Sequence, residues 1–140
     1  LMVGLMKKLL ITFMSLLLLT STAFAAKNKK GWHMVHKKNK KQYYVVLDSI
    51  KEEKEGWSFK YLENVDEYEF HMTAIKTCKK TENTFSYKLQ NVVCRSNTDK
   101  NTKPLELSDI NWRVTLQNED EYTVCQKTMQ LLKRNAADKR

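Results

Sequence analysis

"EYEFHMTAIKTC", residues 67–78, alternates with a period of two. Tyr68, Phe70, Met72, Ala74 and Cys78 fall on one face, and His71 falls on the other, polar face. Successive side chains of a strand point to opposite faces, so this pattern predicts a strand with one buried side. The stretch is bracketed by the polar turns "ENVD" (63–66) and "KKTEN" (79–83). Before it, "WSFKYL" (57–62) puts Trp57, Phe59 and Tyr61 on one face and Ser58 and Lys60 on the other. After it, "TFSYKLQNVV" (84–93) puts Phe85, Tyr87, Leu89 and Val93 together. Two more short runs, Trp32–His36 and Gln42–Leu47, flank a lysine–asparagine tip, and the second is rich in β-favouring Tyr and Val. Short alternating runs joined by polar turns predict an antiparallel meander of about four to six strands.

The period then changes. Beyond the polar linker around Pro104 and a short strand-like "DINWRVTL" (109–116), Tyr122, Cys125, Met129 and Leu132 follow helical spacing. Asn118 followed by Glu121 reads as a capping box. Glu119, Asp120 and Glu121 suit the positive end of a helix dipole, and Lys133 and Arg134 the negative end. A helix this short is marginal alone and must lie on the sheet. The expected fold is α+β, an antiparallel sheet packed against a C-terminal helix, in one domain over 26–134 with a frayed tail over 135–140.

The N-terminal segment sets the compartment. Lys7 and Lys8 precede an apolar run of 11 residues, Leu9–Leu19, and Ala23-Phe24-Ala25 is a small-x-small site. The pattern is that of a signal peptide over 1–25. The apolar run is shorter than the roughly 20 residues a membrane helix needs, and no second apolar run follows it. The expected location is exported: periplasm, cell surface or secreted, where disulfides persist.

Three cysteines remain to be placed. Cys125 lies on the apolar stripe of the helix, and Cys78 on the sheet face that should meet it. Cys94 falls in phase with Ser86, Lys88 and Gln90 on a polar face. Phase therefore favours a Cys78–Cys125 disulfide, leaving Cys94 as a free thiol or an intermolecular partner. Cys78–Cys94 is the competing pair, since a β-bulge would shift the phase of Cys94. Three unbridged thiols are the third outcome.

Charge is uneven. The net charge is +9, and the segment 27–41 holds seven lysines (Lys27, Lys29, Lys30, Lys37, Lys38, Lys40 and Lys41) with no acid. From residue 42 onward, 16 basic side chains meet 16 acidic ones. Such a patch attracts an anionic polymer or an acidic protein, and edge lysines also discourage strand-to-strand aggregation. The patch contains no arginine, the better tool for bidentate phosphate contacts, which argues against specific nucleic-acid recognition.

Catalytic chemistry has little to stand on. No serine-nucleophile motif, His-Glu metalloprotease motif or phosphate-cradling loop occurs, and the chain has three glycines in all. His33 and His36 on a regular strand point to opposite faces, so no metal site is expected. No activating partner for Cys94 is evident. Trp32, Trp57 and Trp112 read first as core, with a sugar-stacking platform as the alternative. No cofactor is expected, and the chain reads as a binding module rather than an enzyme.

The order of Trp32, "YYVVLDSI" (43–50), Cys78 in "IKTCKK", Trp112 in "NWRV" and Cys125 resembles the surface-adhesin protein E-like domains of Gram-negative bacteria. The resemblance covers nearly the whole chain after residue 25. It implies a sheet pinned to a C-terminal helix by a disulfide on Cys78 and Cys125, and a surface or periplasmic, adhesin-like protein. The named member binds host extracellular-matrix proteins. This chain differs in lacking a lipoprotein cysteine, in having Cys94 and in its lysine-rich hairpin. The functional expectation is an exported, non-enzymatic binding module that contacts protein or anionic polymer through that hairpin. The alternative is a periplasmic inhibitor or assembly factor for an envelope enzyme.

Overall fold

The computed structural model describes residues 31–138; the expected signal peptide and Lys27, Lys29 and Lys30 lie outside the described residues. Eight strands are formed: β1 (Trp32–Lys38), β2 (Lys41–Val46), β3 (Lys51–Glu52), β4 (Trp57–Val65), β5 (Phe70–Thr81), β6 (Thr84–Ser96), β7 (Leu105–Leu107) and β8 (Ile110–Val114). One helix follows, α1 (Asp120–Asp138). Every strand pair is antiparallel, in the order β1-β2-β4-β5-β6-β7. β3 continues the line of β2 along β4, and β8 shares the far edge of β6 with β7. The α+β class is as expected. The strand count exceeds expectation because Lys51–Glu52 and Leu105–Leu107, in segments that read as a turn and a linker, pair briefly with their neighbours.

The alternation read in the sequence holds at the centre of the sheet. Trp57, Phe59, Tyr61, Ala74, Cys78, Phe85 and Leu89 are buried together against Val124 and Cys125 of the helix. Each large apolar side chain buried this way contributes about 1.5–3 kcal/mol. Tyr68, expected on the same face, instead sits in a turn and is 67% exposed. Beyond Leu89 the phase of β6 slips. Thr73 faces Val93, but Ile75 faces Gln90, so β6 carries one extra residue there. Asn91 takes a left-handed φ of 55° at this bulge. Val92, rather than the expected Val93, therefore turns into the core.

The helix lies on this inward face. Trp57 Nε1 donates to Thr128 Oγ1 at 2.9 Å in the buried interior, and Tyr122 meets Phe85 with ring centroids 5.0 Å apart. Helical structure begins at Asp120, not just after Asn118, and Glu121 turns towards the sheet instead of closing a capping box. It also runs through Asp138, so residues 135–138 are helical where the sequence suggests fraying. Gly56 ends the β3–β4 turn with φ +86°, and a Cβ there would lie 1.8 Å from the carbonyl oxygen of Cys78. Only glycine lets that turn close against β5.

Candidate functional site

Four of the seven predicted patch lysines are described, and the β1–β2 hairpin gathers them at its tip. Lys37 faces Gln42 and Lys38 faces Lys41 across the last rungs, with Asn39 in the left-handed conformation at the turn. Like charges directly opposite on a ladder repel, so the rung is unfavourable unless an anion shares it. Lys38 reaches Asp120 at 4.0 Å; among the described residues Lys37, Lys40 and Lys41 have no acidic partner. All four lysines are exposed.

The same hairpin is tied to the helix start. β1 holds an extra residue, Val35, between Met34 and His36. This bulge places His36 on the inward side beside Tyr43, where the rings stack at 5.4 Å. It also brings His33, which faces Val45, to that side, contrary to the expectation for a regular strand. Asp120 accepts a hydrogen bond from the Tyr43 hydroxyl at 3.0 Å and lies 3.0 Å from His36 Nε2. Burial pushes the Asp120 carboxyl up, but the contacts with His36 and Tyr43 and the charge of Lys38 outweigh it and hold it below the usual range. His71 bonds Asn97 at 2.6 Å, two strands across from Gln42 on the same rung. Among the described residues no group of three or more His, Cys, Asp or Glu is placed to hold a metal ion.

Beneath the helix lies a charged residue the sequence reading passed over. Lys76 shares the inward face of β5 with Ala74 and Cys78 and is fully buried. Its Nζ pairs with the Glu121 carboxylate and stands 4.3 Å and 4.6 Å from the ring centroids of Tyr61 and Tyr87. Burial lowers its pKa, against the pull of the neighbouring cysteines and Glu63. Cys78 and Cys125 are fully buried free thiols with their sulfurs 2.8 Å apart. The shared hydrogen bond holds the Cys125 thiol below its ordinary range, helped by Lys76 and opposed by burial, while burial pushes Cys78 up. A reactive thiol needs access as well as acidity. Both sulfurs are sealed from solvent, so the pair lacks the access that attack on a substrate needs.

The register separates Cys94 from both. It faces Met72 across β5–β6, whereas Cys78 faces Tyr87. Cys78 is thus six positions along β5 from the partner of Cys94, or roughly 20 Å at strand rise. The bulge that could have rescued a Cys78–Cys94 pair is present, and the spacing still keeps the two apart.

The opposite face of the sheet, away from the helix, holds an open cleft of about 860 Å³. Its floor includes Ser58, Thr77 and Ile75; Lys60, Lys88 and Trp112 line it, with Ser49 and Glu53 from the β2–β4 connection. Trp112 is half-buried here rather than in the core. Lys79 and Lys88 Nζ lie 4.1 Å and 5.1 Å from its ring centroid. The strand-like "NWRV" run was a signal for this position, but the sequence could not say which face Trp112 would join.

Comparison with protein-family models, curated proteins and solved structures gives no match to this chain. Among the described residues no helix is long and apolar enough to cross a membrane.

Proposed function

We propose that this chain is an exported, non-enzymatic binding module of the cell envelope or surface, and that it engages an anionic polymer through the β1–β2 tip. The observation that carries this reading is the exposed rung in which Lys38 faces Lys41, with Lys37 and Lys40 beside it and one acid within reach. Four ammonium groups on a rigid two-stranded ladder repel one another, and an anionic chain laid across them relieves that repulsion. The signal-peptide pattern supports export. The resemblance to surface-adhesin protein E-like domains is part of the same proposal, supported by a helix packed on a sheet with Cys78 against Cys125. In an oxidising compartment we expect those two thiols to be joined as a disulfide.

The test is binding to a heparin column and to heparin in solution across a salt series. A polyanion contact weakens steeply as salt rises, because exposed charges are screened over about 8 Å at physiological ionic strength. Neutralising the tip (Lys37, Lys38, Lys40 and Lys41 each to Gln) should abolish retention while the circular dichroism spectrum stays unchanged. Retention that survives the fourfold variant would overturn the reading. A stoichiometric, salt-insensitive complex with an envelope enzyme would favour the inhibitor or assembly-factor reading instead.

A further inference from the structure

We propose that the cleft on the sheet face away from α1 is a second binding site, built for a short acidic oligosaccharide of the uronate type. The cleft does not include the hairpin lysines, so this inference goes beyond the reading above.

The argument begins with Trp112. Its half-buried indole lines the cleft, and two ammonium groups stand close to the ring. Lys79 is already engaged, since Glu55 lies 3.6 Å from it. Lys88 makes no salt bridge among the described residues, although its charge helps hold the Glu53 carboxyl low, and Lys60 further along the cleft makes none either. An anion drawn to Lys88 therefore comes to rest against an aromatic surface. A group that offers both a carboxylate and an apolar C–H face meets both demands at once, and a uronate ring is such a group.

The second cation sets the length. Ser58, Thr77 and Lys88 share one row across β4, β5 and β6, and Lys60, Ile75 and Gln90 the row two residues on. Two strand spacings and two residues of rise put Lys60 and Lys88 roughly 12 Å apart at their Cβ atoms. That distance suits two carboxylates on one oligosaccharide better than a single acid.

The rest of the lining decides between a sugar and an acidic peptide. Glu53 lies in the same cleft, and its carboxylate already accepts from Ser58 Oγ at 2.6 Å. An acidic side chain brings only like charge to Glu53 and to Asp48 and Glu55 in the same lining, whereas a uronate ring carries hydroxyl donors beside its carboxylate. Sugar hydroxyls donate to Glu53, and they can accept from the Thr77 hydroxyl, since Ser49 Oγ already donates to the Val46 carbonyl. The volume of about 860 Å³ lies within the roughly 300–1,000 Å³ of small-ligand sites.

The test uses the chain from residue 26 to residue 140 and two probes: an oligogalacturonate and the neutral oligosaccharide made by reducing its carboxyl groups. Both are titrated by calorimetry at about 0.5 M salt, where exposed charges are screened within a few ångströms and the hairpin contributes little. We expect the uronate to bind at one site and the neutral analogue at least tenfold more weakly, about the worth of one charged hydrogen bond. Trp112→Ala and Lys88→Gln should each weaken uronate binding about tenfold or more. The indole N–H resonance missing from Trp112→Ala should be the one that shifts on titration. The fourfold hairpin variant should bind the uronate as the parent does. Equal binding of the neutral probe, or no binding of either, would overturn the inference. So would uronate binding lost in the hairpin variant and kept in Trp112→Ala, an outcome that leaves the hairpin reading intact.

Discussion

Joining Cys78 to Cys125 should stabilise the domain by about 4 kcal/mol, because the bond closes a loop of about 48 residues in the unfolded chain. The two cysteines are 47 apart in sequence, and their sulfurs already meet in the buried layer between β5 and α1. Neighbouring contacts hold both ends: Trp57 bonds Thr128 one helical turn beyond Cys125, and Lys76 pairs with Glu121 one turn before it. The native state therefore needs little rearrangement, and the gain comes from the entropy removed from the unfolded ensemble. For a domain of about 110 residues, 4 kcal/mol corresponds to a rise in Tm of about 15–20 °C. The assay is thermal and urea unfolding of one preparation, oxidised and then reduced, in a Cys94→Ser background that prevents thiol exchange. Peptide mapping without reductant identifies the linked pair. Oxidised and reduced forms that melt within about 3 °C of each other, less than 1 kcal/mol apart, would refute the loop-closure argument. A linked peptide containing Cys94 in the parent protein would refute the register itself.

Other expectations rest on single sites. Gly56→Ala should destabilise by about 3 kcal/mol or more, or prevent folding, since the new methyl group meets the Cys78 carbonyl at a backbone φ that disfavours it; urea midpoints at matched m-values read this out. Glu121→Gln should cost about 3–5 kcal/mol because it leaves the fully buried Lys76 ammonium unpaired. Lys76→Met should cost less, since the partly exposed Glu121 can turn to water, and equal losses in chemical denaturation would refute the asymmetry. The Asp120 carboxyl has a folded pKa below its unfolded one, so its contribution is present above the unfolded value near about pH 4 and is lost as pH falls through the folded value. Asp120→Asn should flatten the acid limb of a Tm–pH profile below about pH 4, and an unchanged limb would exclude the His36–Tyr43–Asp120 contact as its source.

The inward face was legible where alternation was regular. Trp57, Phe59 and Tyr61 could be read as one buried row, and Cys78 and Cys125 could be set against each other from the phases of a strand and a helix. Lys76 was in plain view on that same phase, yet lysine is almost never buried unpaired. Its partner Glu121 lies 45 residues away, a pairing that no local pattern announces. The bulge at Val35 escaped, and the one at Asn91 was foreseen only as a way to shift Cys94, because one extra residue leaves composition unchanged while reversing every side chain beyond it. Each moved a residue of interest: His33 joined His36 on one side, and Val92 replaced Val93 in the core. The cleft was out of reach for another reason, since its lining comes from five strands and the β2–β4 connection. The lysine tip was legible because it is local, two lysines on either side of Asn39.

The helix also determines when the domain can be completed. Its polar contacts reach back 84 residues to His36, 77 to Tyr43, 71 to Trp57 and 45 to Lys76. Those four partners stand on four different strands, so the sheet lacks its inner cover until the helix arrives. Contacts of such long range make folding slow, because the intervening loops must close first. A domain whose keystone follows every strand stays open, and so threadable, until that helix is made.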